Sequence, residues 1–139
     1  MIILDTNVLS ALMLRKPDAH VVSWLDQQPV ESVWTTPITL FAVYFGIGIL
    51  PDGRRRNNLR GAFDRMLRED FAGRVLGVDT SAAACAAQIA AQRRVSGRQV
   101  EIRDMLIAGA ALSRRAALAT RNTRHFEECG LELVNPWSA

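Results

Sequence analysis

Met1-Ile2-Ile3-Leu4-Asp5-Thr6-Asn7 decides the fold, because it sets a short apolar run, a carboxylate and a helix start side by side. The run predicts a strand over 2–4 and leaves Asp5 at its C-terminal end, where open α/β sheets form their binding crevices. An apolar run this short, with an acid directly behind it, does not read as a secretory signal or a membrane span. The strand is therefore expected to belong to the fold.

Working outward, Val8, Leu9, Leu12 and Met13 recur at helical spacing until Lys16-Pro17, and Asp18 caps a second amphipathic helix carrying Val21, Val22, Trp24 and Leu25. Ser32-Val33-Trp34-Thr35 reads as a short strand, and Thr36-Pro37 as an N-cap with proline at the first helical position, opening a helix that runs to about Leu50. Residues 32–51 contain no charged side chain, yet their threonines, Pro37 and changes of pattern argue against a membrane helix. A helix apolar on every side is expected to be fully buried, and in a chain of 139 residues that cover calls for a second subunit, hence a homodimer.

Pro51-Asp52-Gly53 restarts the chain into a polar helix from Arg54 to about Asp70, with Leu59, Phe63, Met66 and Leu67 as its apolar stripe. Val75-Leu76-Gly77-Val78 is expected as a strand, Asp79-Thr80-Ser81 as a cap, and the alanine-rich stretch 82–95 as a long helix ending at Gly97. Another helix starts near Ile102 or Arg103 and reaches Arg114-Arg115. Ala116-Ala117-Leu118-Ala119-Thr120 has the continuous apolar pattern of a strand buried on both faces, and Leu131-Glu132-Leu133-Val134 gives a last one. Strands alternating with helices call for an α/β fold, a three-layer α/β/α sandwich around a mostly parallel sheet, in one domain over 1–139.

Composition bounds the function. Hydrophobic residues make up 49% and charged residues 22%, the balance of a globular protein with a real core. Seventeen basic residues against 14 acidic ones give +3, and every basic residue except Lys16 is arginine, which suits two-pronged contact with phosphate. Cys85 and Cys129 lack metal-ligand spacing and read as free thiols of a reducing compartment, the cytoplasm; the isolated His20 and His125 give a zinc site no support. Nothing suggests a membrane.

If the strands at 2–4 and 117–120 are parallel neighbours, Asp5 and Asn122 emerge from one sheet edge into one crevice, and Asp104 joins them from the first turn of its helix. Taken singly, each has an ordinary explanation: Asp5 as an N-cap, Asp104 as an acid complementing a helix dipole, Asn122 as a turn residue. Taken together with Leu4-Asp5-Thr6-Asn7, Arg103-Asp104-Met105-Leu106-Ile107-Ala108 and Ala119-Thr120-Arg121-Asn122-Thr123-Arg124-His125-Phe126, they resemble the PIN-domain family, and more narrowly its VapC- and FitB-type toxins of bacterial toxin–antitoxin pairs. The resemblance runs from Met1 to the Asn135-Pro136-Trp137 ending.

What the resemblance implies is an endoribonuclease dependent on Mg2+ or Mn2+, held by Asp5 and Asp104, with Asn122 where the family has Asp or Asn. Thr6, Asn7 and Thr120 would orient ligands or waters from behind. It also implies a cognate antitoxin whose C-terminal segment lies across the active-site groove, with residues 32–51 and the Arg54 helix as parts of that groove. Arg98, Arg103, Arg121 and Arg124 flank the site and are the candidates for RNA phosphates, whereas Arg54-Arg55-Arg56 reads equally as a solvated face, and His125 as a turn residue.

One position departs from the family. In Thr39-Leu40-Phe41-Ala42-Val43-Tyr44, Ala42 stands where the motif has glutamate, and no acid lies between Glu31 and Asp52 to replace it. A site with two carboxylates and one amide is expected to hold a dication weakly and cut little RNA. Two origins stay open, a silent paralogue or a deliberate Glu-to-Ala change; the otherwise intact motifs favour the second. The alternative function is a catalytically silent PIN-like module that binds RNA or an antitoxin. Phosphatases of the haloacid dehalogenase type would need an acid at Asn7, and a receiver domain would need a late lysine, so neither fits.

Overall fold

The computed structural model describes residues 1–139. Four strands, β1 (Ile2–Leu4), β2 (Val33–Trp34), β3 (Ala117–Ala119) and β4 (Leu133–Val134), form one sheet in the order β2-β1-β3-β4, and every pairing is parallel. Six helices connect them: α1 (Thr6–Leu12), α2 (Ala19–Asp26), α3 (Pro37–Gly48), α4 (Arg54–Arg65), α5 (Thr80–Val95) and α6 (Ile102–Ser113). No helix is long and apolar enough to cross a membrane.

The pleat sorts neighbouring strand residues to opposite faces. Ile3 and Leu118 join Ala82, Ile89, Ile107 and Ala111 on the α5/α6 side, whereas Leu4 and Ala119 join Val8, Val21, Val43 and Phe63 on the α1–α4 side. Helices thus cover both faces, which is the expected three-layer α/β/α arrangement. The caps anticipated from sequence are present. Asp18 accepts from the N–H groups of His20 and Val21, Thr36 from Thr39, and Asp79 from Ala82.

Two expectations need correction. Val75–Val78 is not a strand: Thr35 and Val75 make a single bridge, because β2 is only two residues long and offers no ladder to extend. The uncharged helix is not fully buried within the chain either. Thr39, Val43 and Ile47 of α3 face the core, while Phe41, Phe45 and, just beyond the helix, Ile49 stand 60%, 56% and 69% exposed. The polar helix reaches Asp70 as expected, but after Arg65 it widens into a π-helical turn over Met66–Asp70, where Phe71 N–H donates to the Met66 carbonyl at 3.0 Å.

Candidate metal centre

β1 and β3 lie in register, Leu4 beside Ala119, so Asp5 and Thr120 leave the sheet together; Asp5 N–H still donates to the Ala119 carbonyl at 2.9 Å. The chain takes β2 to one side of β1 and β3 to the other, so this edge is the point where strand order reverses and a crevice opens. Asp5 is 5% exposed and needs donors. It has them: Oδ1 accepts from Thr6 N–H at 2.8 Å, and Oδ2 accepts from the Thr120 hydroxyl at 2.8 Å and the Asn7 amide at 3.3 Å. The Thr120 hydroxyl in turn accepts from Asn122 N–H at 3.1 Å, and Oδ1 of Asn7 from Arg121 N–H at 3.1 Å. The loop after β3 is thereby tied to the loop after β1.

Asp104 arrives from the first turn of α6, whose N-cap is Glu101. Its Oδ2 lies 3.2 Å from Nδ1 of His125, which donates when that nitrogen carries the proton. Burial pushes the Asp5 carboxyl above its usual range despite the lowering effect of its donors, Thr120 first. Burial likewise raises Asp104, and the nearby Asp5 charge raises it further, more than His125 offsets. Two carboxyls that resist ionising beside one another form a place that a cation would stabilise.

Asp5, Thr6, Asn7, Ala42, Asp104, Asn122, Arg103 and Arg121 all line one cavity of about 530 Å³, and Thr120 sits buried beneath it. The structure does not bring Arg98 or Arg124 to this cavity. Arg98 is engaged by Glu128 at 2.9 Å, and Arg124 opens onto a neighbouring cavity. His125 lies in the turn, as expected, but also touches Asp104.

Two wall residues escaped the sequence reading. Glu101 lines the cavity and adds its charge to those raising Asp104; the signal was an acid three positions before Asp104, on the same side of a helix start. Trp137 also lines it, with the Arg121 guanidinium 4.9 Å from its ring centroid. Even with Glu101, no group of three or more His, Cys, Asp or Glu side chains is gathered tightly enough to enclose an ion.

The model of one family, described as PIN domain, matches residues 2–130. Among curated proteins the chain is 40% identical to the plasmid stability protein StbB of Pseudomonas syringae pv. tomato, over 100% of both chains. It is 37% identical to the VapC ribonuclease Y4jK of Sinorhizobium fredii, covering 99% of this chain and 98% of that protein. The similarity to Toxin FitB of Neisseria gonorrhoeae is 34% identity over 99% of each. The crystal structure of FitAcB from the same organism matches with a TM-score of 0.92 and 34% identity, covering 100% of both chains.

Proposed function

The chain belongs to the PIN-domain family, among its VapC- and FitB-type toxins, and on that premise we propose a toxin whose crevice binds RNA and a divalent ion but cuts poorly because position 42 is alanine. The observation that carries this reading is the convergence of Asp5 and Asp104, from elements a hundred positions apart, on one cavity that Ala42 also lines.

The donor set fits the ion the family implies. Mg2+ and Mn2+ favour oxygen ligands, and Mg2+ typically keeps several waters while using one or two carboxylates plus substrate phosphate. Asp5 and Asp104 supply those carboxylates. When bound, the ion would lower the pKa of a water and neutralise charge on the scissile phosphate. The chain's own residues fix the geometry: Thr120, Asn7 and Thr6 orient Asp5, His125 orients Asp104, and Arg103 and Arg121 offer guanidinium groups to the phosphate backbone. Without a carboxylate at 42, fewer charges oppose the dication and its hold weakens.

Partners follow from the surface. A groove of about 940 Å³ between α1, α3 and α4 adjoins the central cavity, with Arg54 and Arg55 among its walls; it is suited to the C-terminal segment of a cognate antitoxin. Phe41 and Phe45, stacked with centroids 6.0 Å apart, continue with Ile49 into an apolar stripe that a second copy of the chain would cover as a homodimer. Such a toxin acts in the cytoplasm, where RNA is.

The second reading, a silent module that binds without cutting, draws on Ala42 itself. Incubation with total RNA and Mn2+ separates the two. Cleavage appearing only after Ala42→Glu supports a nuclease disabled at one position; binding without cleavage in both forms supports the silent module, and no binding in either contradicts both.

A further inference from the structure

We propose that the cavity on the far side of Asp104, between Arg93 and Arg124, is a subsite for an RNA phosphodiester flanking the one to be cut. This rests on the RNA-binding reading above and adds a site to it. The cavity has a volume of about 270 Å³, and Glu101 and Asp104 line both it and the central cavity, so the two share a wall.

Its cations differ from the ion-paired arginines of the surface. Arg98, Arg56 and Arg103 each have a carboxylate oxygen within 3.5 Å, at Glu128, Asp52 and Glu101 respectively. Arg93 has none. Its guanidinium donates to two main-chain carbonyls, Gln99 at 3.5 Å and Glu127 at 3.4 Å, which hold the group in place without cancelling its charge. Arg124 makes no hydrogen bond or ion pair. One oriented and one free guanidinium facing a common space match the planar, two-pronged recognition that phosphate favours.

The order of cavities argues for a nucleic-acid strand and against a lone anion. Ser10, Leu14 and Ala42 line both the antitoxin-side groove and the central cavity, and Glu101 and Asp104 continue the track into the third. Arg54 and Arg55 mark one end, Arg93 and Arg124 the other, and the carboxylates sit between them. A free anion would meet the acids of the shared wall with nothing to hold it beyond them. A strand whose middle phosphate lies at the ion-binding carboxylates places its neighbours against the arginines.

The test is RNA binding by the chain as it stands, in EDTA so that the probe stays intact whatever its activity. Polarisation of a fluorescein-labelled single-stranded oligoribonucleotide is titrated across KCl concentrations, with Arg124→Gln, Arg93→Gln and, on the remote end of α6, Arg114→Gln. Arg124→Gln should weaken binding roughly three- to tenfold and reduce the log–log salt slope by about 0.7, the value of one lost single-strand phosphate contact. Arg114→Gln should leave the slope unchanged. Arg124 is exposed and bonded to nothing, so its variant keeps the fold, and an unchanged thermal melt confirms it. Inorganic phosphate at matched ionic strength should compete no better than sulfate. RNA binding in which Arg124→Gln equals Arg114→Gln overturns the subsite alone. Absence of any salt-dependent RNA binding overturns the RNA reading and the subsite with it. Loss of antitoxin affinity with RNA affinity intact assigns the cavity to the partner and overturns the proposal.

Discussion

The two helical layers beside the sheet are packed in opposite ways. On one side α5 and α6 meet through alanines and Gly109, where an added Cβ would strike the Ala82 carbonyl oxygen and lie 2.6 Å from Ala86. On the other side α3 carries Gly46 and Gly48, where an added Cβ would meet nothing within 4 Å, and beside them an exposed stripe of Phe41, Phe45 and Ile49. The close-packed layer holds Asp104; the open layer holds Ala42. Small side chains hold the helix that carries Asp104 by removing room to move, whereas the apolar face of α3 is left open to solvent.

The sharpest way to break this contrast is to add one methyl group to each layer. Gly109→Ala should destabilise by about 1–3 kcal/mol, because the helices must separate to admit it. Gly46→Ala should stabilise by up to about 1 kcal/mol through helix propensity alone. Urea unfolding reads both, and a shared sign would refute the difference between layers.

Thr120→Val tests the edge between the layers. It removes the hydroxyl donor from buried Asp5, so a loss of about 1–3 kcal/mol near neutral pH is expected, shrinking as acid protonates the carboxyl. A loss that does not vary with pH would mean that Thr120 acts through packing.

The pH dependence of the metal-free chain follows from the directions at Asp5 and Asp104. Both carboxyls are raised, so the folded state binds protons more tightly than the unfolded state. Their contribution is fully present below the unfolded aspartate value, about 3.9, and is lost as pH rises through the folded values. Thermal melts in EDTA should show it, and Asp5→Asn should flatten the decline. The smallest effect on stability belongs to the open face: Phe45→Glu should change it by no more than about 0.5 kcal/mol while abolishing the proposed self-association in sedimentation experiments. A monomer before substitution, or association unchanged after it, would remove α3 from the proposed dimer contact.

Much of this organisation was legible in the chain. The acid after the first strand, the caps at Asp18, Thr36 and Asp79, and the apolar run 116–120 are local signals, and local signals survive folding when no partner has to be chosen. The misreadings all needed a partner. Val75–Val78 has strand residues but finds only one bridge, and a helix apolar all round does not say which side stays uncovered. At the site, Asp5, Asp104 and Asn122 were readable from motif and strand order, whereas Glu101 entered only because α6 begins at the crevice. The separation of Arg98 and Arg124 from the central cavity depends on turns that no spacing encodes.

Whether Asp5 and Asp104 share one divalent ion decides the reading of the crevice. Mn2+ titration followed by electron paramagnetic resonance, on the chain, Asp5→Asn, Asp104→Asn and Ala42→Glu, reads this without requiring turnover. One weak site, lost in either asparagine variant and tightened by Ala42→Glu, is the predicted result; Mn2+ binding that survives both asparagine substitutions would contradict it.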